Sequence, residues 1–487
     1  MLTSSATTTT TAANLNNLVA RASSWCASFG ILMGARQLDH TRQPLGDLLL
    51  EPAPFSLFPT DFPRTSFEVA YEMGKPFNAL VHDVCSQQEW LLEEAIVTAA
   101  QGDPDFTGRL VSLAKEVEAK GKIQNLVLGV LRSDYMLHKP DGSVEDASLL
   151  QVELNTIASS FGCLSSKVSK MHKALHGESE KDSTLPPNQA DEGIAKGIAM
   201  AYQAYQKQFP DSKNVAVVMV VQPGETNSID QRDLEFVLKT KYGVPLVRKT
   251  LAELSQCQCR TDNPELLLDP DSDLVAGVVY YRAGYTPDDY PTEKEWKGRG
   301  LVEHSAAIKC PDVFYHLFGA KKVQQELTKP GILTRFSTDA TLLESCFAKL
   351  YALGEDNDQA VIDMALKDPH LFVLKPQREG GGNNLYDNDL VHALRTMTKE
   401  ERGGYIVMQK IQPPSTSGVL IRRGEIAYEG DVVCELGVFG ISLRDYSSSK
   451  NILMDEVVGH ILRTKSVKTD EGGVAAGYAF LSSPKLV

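Results

Sequence analysis

The fifteen residues from Phe372 to Tyr386 read FVLKPQREGGGNNLY. An apolar run ends in Lys375, a charged turn follows, and then come Gly380, Gly381, Gly382, Asn383, Asn384 and Tyr386. Three adjacent glycines cost backbone entropy and weaken any regular element. They serve where backbone N–H groups must approach a ligand closely, and successive N–H groups in such a turn form an anion-binding concavity suited to phosphate. Lys375 adds a point charge. Glu379 adds a hard oxygen ligand for the magnesium that travels with a triphosphate.

Three further sets of residues carry compatible chemistry. Glu153 and Asn155 lie two apart in the strand-like segment LLQVEL-N. Positions i and i+2 of a strand share a face, so both oxygens can meet one magnesium ion. Arg132, Arg282 and Arg463 each follow or close an apolar segment, and a guanidinium binds carboxylates in a planar fork. Lys321 and Lys465, like Lys375, border tight or strand-ending segments.

Other frameworks are missing. The chain has no G-x-x-x-x-G-K-[ST], no H-E-x-x-H, no G-x-S-x-G, no kinase H-R-D with D-F-G, and no strand followed by G-x-G-x-x-G. Lysines, a glycine loop and magnesium carboxylates spread along a long chain suit an ATP-dependent ligase that activates a carboxylate as an acyl phosphate.

At 487 residues the chain exceeds one hydrophobic core, which predicts two or three subdomains. The net charge is 49 − 63 = −14, which argues against nucleic-acid and anionic-membrane partners. No apolar run reaches membrane-spanning length. Eight scattered cysteines without a metal spacing are read as reduced thiols of an intracellular protein. Residues 1–13, rich in Ser, Thr and Ala and without charge, are expected to form a disordered tail. They lack a secretory signal's pattern, and their acid-poor composition leaves organelle import as a weaker reading.

The elements that must position these residues follow from periodicity. Helices are expected at Gln88–Ala100 and Thr107–Ala119, and strands at Asn125–Leu131 and Leu149–Leu154. Gly177–Asp191, with its Pro-Pro, reads as a loop. An alternating stretch follows: strand Val215–Val221, helix Asp230–Tyr242 stopped by Gly243, strand Pro245–Arg248, a short helix at Leu251–Ser255, and strand Leu274–Tyr281. This order implies a parallel sheet whose ligands sit beyond the strands' carboxyl ends. Glu225-Thr226-Asn227 and Arg282-Ala283-Gly284-Tyr285 occupy those ends. From Lys321 to about Ala352 the pattern is helical, with a break at Pro330-Gly331. Strands flank the glycine loop at Leu371–Leu374 and Tyr405–Ile411, and Asp431–Leu443 reads as a strand pair.

LRSDYM (131–136), VELNTIASSFG (152–162), YRAGY (281–285), KKVQQEL (321–327), FVLKPQREGGGNNLY (372–386), CELGVFG (434–440), GHILRTK (459–465) and GGVAAG (472–477) stand in this order along the chain. Together they resemble the eukaryotic glutathione synthetase family from about residue 20 to the C-terminus. The resemblance implies an α/β protein with an α+β main body and an ATP-grasp fold. The main body would begin at residues 14–214, and residues 215–320 would form a substrate-binding parallel-sheet domain. Residues 321–487 would bind ATP, with a glycine-rich lid at about 350–425 and a closing loop at 466–478. It also implies a cytoplasmic homodimer that joins γ-glutamylcysteine to glycine at the expense of ATP, with two magnesium ions per active site.

By the same resemblance, Glu153, Asn155 and Glu379 would hold magnesium. ATP would be contacted by Glu153, Lys321, Lys375, Glu379 with Gly380–Gly382, Asn383, Asn384, Tyr386, Met408, Ile411, Glu435, Lys465 and Glu471. The dipeptide or the acceptor would meet Arg132, Ile157, Ala158, Ser159, Ser160, Glu225, Thr226, Asn227, Gln231, Arg282, Tyr285, Arg463, Val474 and Ala475. Arg132, Ser160 and Arg463 would serve the reacting centre. The chain departs from the family pattern at Ala158, where a serine is usual, at Thr226, where a longer polar residue is common, and at Gln409 and Glu471. The pair Ala475-Ala476 implies glycine as acceptor, because relatives using β-alanine carry bulkier residues there. The alternatives are a synthetase for β-alanine or serine, and a non-catalytic paralogue that binds nucleotide.

Overall fold

The structure is a computed structural model that describes residues 12–34, 49–140, 147–177, 184–260, 263–269, 273–377 and 383–487. Of the expected N-terminal tail, residues 1–11 lie outside these segments, and a helix, Ala12–Phe29, opens at its last two residues.

A thirteen-stranded mixed sheet runs through the molecule. Its axis is Leu126–His138. The sequence reading ends this strand at Leu131, where the apolar run stops. The strand continues because both edges stay paired. On one side Phe439 to Leu436 oppose Arg132 to Tyr135 in antiparallel register. On the other, Ser148–Asn155 pairs from His138↔Ser148 to Arg132↔Asn155. The same edge receives Ile308–Cys310 in parallel at Lys309↔Val127.

Period-two alternation assigns the strand's faces. Val127, Leu131 and Tyr135 enter one core, and Leu126, Leu128 and Val130 enter the other. The second face continues as Arg132 and Asp134, so it changes from apolar to charged along its length. Neighbouring strands repeat the change. Phe439 and Ile441 are core residues, while Gly437 and Glu435 continue that face outward.

The parallel part consists of Val215–Val220, Leu246–Lys249, Val275–Tyr281 and Ile308–Cys310. Val215–Val220 and Val275–Tyr281 are apolar and buried on both faces, as burial under helices requires. The helix expected at Asp230–Tyr242 spans Ser228–Tyr242 and ends at Gly243, whose φ of 68° a glycine adopts without a Cβ penalty. The predicted helix at Gln88–Ala100 is broken by a single π turn, Leu91–Ala95.

One expectation fails. Asp431–Leu443 is not a strand pair but part of one strand, Glu425–Asp445, and the segment around Gly459–Lys465, which had no assignment, is its antiparallel partner, Ser448–Ser466. Gly437 and Gly440 in this strand are packing gaps. A Cβ on Gly440 would stand 2.2 Å from the Asn78 Oδ1, and one on Gly437 would stand 2.5 Å from the Asp134 Oδ1.

A separate antiparallel sheet joins Leu350–Ala352, Tyr405–Gln409 and Phe372–Pro376. Leu350–Ala352 was expected to continue a helix. It is instead an edge strand, since its three residues pair with Met408, Val407 and Ile406. Helices Gln359–Lys367 and Asp387–Thr396 cover this sheet, with Leu353, Ile362, Leu374, Leu390 and Val407 buried between them. This unit meets the helix Val97–Gly102 backbone to backbone, with Gly403 and Gly404 against Thr98 and Gly102.

Candidate active site

A cavity of about 850 Å³ lies where the charged ends of these strands converge. It sits beyond the carboxyl ends of Val215–Val220 and Val275–Tyr281, as open α/β sheets dictate. Gln222, Glu225, Thr226 and Asn227 come from the first of these ends, and Arg282 and Tyr285 from the second.

One end of the cavity is built for phosphate. Lys321, the first residue of helix Lys321–Leu327, pairs with the Glu153 carboxylate at 2.8 Å. The Lys375 Nζ, from Phe372–Pro376, donates to the Val152 carbonyl at 3.1 Å. Both lysines are buried. Burial pushes the Lys375 ammonium below its ordinary value, and Glu153 opposes that shift. Burial would raise the Glu153 carboxyl, but Lys321 and Lys375 overcome it and hold the group well below the usual range. Lys465 is likewise lowered by burial against the pull of Glu435, and its Nζ donates to the Asp470 carbonyl. Asn383, Asn384, Tyr386, Met408, Ile411 and Glu471 line the same end. Glu379 and Gly380–Gly382 lie outside the described residues.

The other end is built for carboxylate. Arg132 forms a two-pronged pair with Asp134, Nε to Oδ1 and Nη2 to Oδ2, each at 2.7 Å. Arg463 reaches the same carboxylate from two strands away, Nη2 to Oδ2 at 2.7 Å, and also pairs with Glu435. Burial disfavours the Arg463 charge, but Glu435 and Asp134 outweigh it and hold the group above its ordinary value. Arg282 pairs with Asp230 at 3.0 Å. The Asp230 carboxylate also accepts the backbone N–H groups of Phe161, Cys163 and Leu164, where helix Gly162–His176 begins. Ala158 and Phe161 hold positive φ of 52° and 70°, a conformation non-glycine residues keep only when their surroundings enforce it.

Ile157, Ser159, Ser160, Val474 and Ala475 complete this wall. Ser160 Oγ donates to the Ala158 carbonyl at 2.8 Å. Gln231 does not line the cavity. It is fully buried behind the wall, donating to Glu225 at 2.8 Å and accepting from Arg248 at 2.7 Å. Among the described residues, four buried polar atoms on the cavity's residues have no protein partner: Ser159 Oγ, Asn227 Oδ1, Arg282 Nε and Arg463 Nε. Unpaired buried groups of this kind are costly unless a ligand completes them.

Sequence reasoning missed Asp134. Its signal was available, since Arg132-Ser133-Asp134 on a strand puts the two charges on one face. It also missed Asp230, Lys410 and Asp470; the last two form an ion pair of 3.1 Å at the cavity rim.

The donor set fits magnesium. Glu153 and Asn155 offer hard oxygens from one strand, the ligand type magnesium takes, although among the described residues no group of three or more His, Cys, Asp or Glu residues could hold a metal ion without further ligands.

Known proteins resemble this chain along nearly its whole length. Residues 12–486 match the family model described as eukaryotic glutathione synthase, ATP binding domain. The glutathione synthetase of Dictyostelium discoideum is 36% identical over 97% of this chain and 99% of its own length. That of Homo sapiens is 38% identical over 91% of this chain and 92% of its own. The chloroplastic glutathione synthetase of Solanum lycopersicum is 38% identical over 95% and 83%. Among solved structures, a glutathione synthetase-like effector from Globodera pallida shares the fold, with a TM-score of 0.75 and 22% identity over 97% of both chains.

Proposed function

Since the chain belongs to the eukaryotic glutathione synthetase family and is an ATP-dependent ligase of glutathione synthesis, we propose how its cavity performs the ligation. The substrates are γ-glutamylcysteine, glycine and ATP. The polyphosphate lies along Lys321, Lys375 and Lys465, and the adenine lies against Met408 and Ile411. The dipeptide lies along Arg282, Tyr285 and Asn227, with its cysteinyl carboxylate toward Arg132 and Arg463.

The cysteinyl carboxylate attacks the γ-phosphorus, and ADP leaves with the electrons of the broken P–O bond. The glycine amine then attacks the acyl phosphate, loses a proton and expels phosphate. Buried lysines neutralise the transferring phosphoryl group, so the first step is governed by positioning and electrostatics. Arg132 and Arg463 face the carbonyl oxygen that becomes an oxyanion in the second step. The unit carrying residues 350–409 and the segment 466–478 form the ATP-grasp lid and closing loop, which keep water from the acyl phosphate. Glu153 and Asn155, with Glu379, would hold two magnesium ions, which supply charge neutralisation on the phosphates when bound.

A single contact supports this reading best. The Asn155 amide, at the metal end, donates to Asp134, which holds both arginines at the carboxylate end. The retained pair Lys321–Glu153 and buried Lys375 favour catalysis over nucleotide binding alone. Ala475-Ala476 favours glycine over β-alanine. The working form is a homodimer in the cytoplasm; no helix among the described residues is long and apolar enough to cross a membrane. Transfer of label tests the chemistry. With ¹⁸O in the cysteinyl carboxylate, one labelled oxygen is expected in the released phosphate. Unlabelled phosphate would contradict the acyl-phosphate route.

A further inference from the structure

We propose that Asp134 is the positioning residue for both arginines at the reacting centre, and that Gly437 exists to make room for it. The proposal rests on the reading of the cavity given above.

Asp134 is completely buried. A buried carboxylate usually anchors the fold, by accepting backbone N–H groups or closing a structural ion pair. Asp230 illustrates the first case, with three backbone donors at the start of a helix. Asp134 differs. Each hydrogen bond recorded for its carboxylate among the described residues comes from a side chain that lines the cavity. Oδ1 accepts from Arg132 Nε at 2.7 Å. Oδ2 accepts from Arg132 Nη2 at 2.7 Å, Arg463 Nη2 at 2.7 Å and Asn155 Nδ2 at 3.0 Å. One anion therefore orients groups from three strands.

The arrangement solves an electrostatic problem. Two guanidiniums must face one wall of a poorly solvated cavity to receive a single substrate carboxylate, and alone they would repel. A shared carboxylate behind them cancels that repulsion and fixes both planes. Among the described residues, it leaves the Arg463 Nε without a protein partner and Arg132 Nη1 with a 3.4 Å contact to the Ser160 carbonyl.

The backbone is cut to suit. Gly437 stands directly across from Asp134 in the antiparallel register. A Cβ there would come within 2.5 Å of Asp134 Oδ1 and 2.9 Å of Arg132 Cδ. Any side chain at this position would push the pair out of place.

Asp134→Asn removes the charge at nearly constant shape. We expect kcat/KM for γ-glutamylcysteine to fall by about 100-fold or more, with KM for ATP changed less than about threefold, because Asp134 holds the two arginines through three hydrogen bonds and the metal-end Asn155 through one. Activity is normalised to the fraction of protein that binds magnesium-ADP, so lost folding does not count as lost positioning. Gly437→Ala keeps the charge and adds only the clashing methyl, and the same split is expected; it carries the test if Asp134→Asn does not fold. A cycle with Arg463→Lys identifies the route. If Asp134 acts through both arginines, adding Asp134→Asn to Arg463→Lys costs clearly less than it costs alone, the remaining loss passing through Arg132. Wild-type kinetics per ADP-binding site in both variants would overturn the proposal, as would full additivity in the cycle. Absence of glutathione formation by the wild-type protein would instead overturn the functional reading beneath it.

Discussion

Lys321 and Glu153 form an ion pair of 2.8 Å between the first residue of a helix and the outer strand of the central sheet. Glu153 thus faces two buried ammoniums, since Lys375 also acts on it. This excess of positive charge in a chain of net charge −14 is local, and in the proposed function it is the receptor for a triphosphate.

Loss of Arg463 is expected to separate chemistry from nucleotide binding. Arg463→Ala leaves the buried carboxylates of Asp134 and Glu435 without a shared counter-charge. Removing one donor to a developing oxyanion costs about 2.7–4 kcal/mol, or roughly 10²–10³ in kcat. Steady-state kinetics with ATP as varied substrate provide the check: kcat drops by that factor and KM for ATP stays within a few-fold. Wild-type turnover would remove Arg463 from the chemistry.

ATP binding is expected to take up protons at alkaline pH. Burial lowers Lys375 and Lys465 below the ordinary lysine value of 10.5. Bound phosphates favour their charged forms and raise them again. Between the free and bound values the free protein carries neutral lysines and the complex carries charged ones. Affinity for ATP should therefore fall as pH rises through the free-protein value, and stay flat below it. Calorimetry at about pH 9 in buffers of different ionisation enthalpy measures the uptake directly. No buffer dependence would contradict it.

The backbone-to-backbone contact beneath residues 350–409 is expected to control the ATP end alone. A Cβ on Gly403 would stand 2.6 Å from the Thr98 carbonyl oxygen, and one on Gly102 would stand 2.1 Å from the Gly404 nitrogen. These are backbone atoms and cannot rotate away. Gly403→Ala should destabilise by about 1–3 kcal/mol, typical of overpacking, and raise KM for ATP more than KM for the dipeptide. Thermal unfolding together with the two KM values decides this.

Acceptor choice should be modest in energy. Ala475 lines the cavity, and one methylene in a fitted pocket is worth about 1–3 kcal/mol. Glycine is expected to exceed β-alanine in kcat/KM by about 10- to 200-fold by the same measure. Competition between the two acceptors, read by product mass, gives the ratio.

Much of the site was legible because its residues sit at strand ends, where an apolar run stops and a charge follows. Val275–Tyr281 followed by Arg282 and Phe372–Leu374 followed by Lys375 are such places. Asp134 was legible only as a charge sharing a strand face with Arg132; its pairing with Arg463, which is 329 residues away in sequence and reaches it from two strands over, leaves no local pattern. The role of Gly437 escaped the sequence for a related reason. A glycine's value in a strand depends on what fills the space beside it, here a carboxylate on the neighbouring strand. Likewise Leu126–His138 outran its apolar run because the polar half is paired on both edges, which no local pattern records.

The most direct measurement is ADP release by the purified protein with magnesium-ATP, γ-glutamylcysteine and glycine, with the product identified by mass. ADP release that depends on both glycine and the dipeptide, and yields glutathione in equal amount, is the predicted result. Nucleotide binding without glycine-dependent ADP release, or a product lacking the glycine residue, would contradict the account.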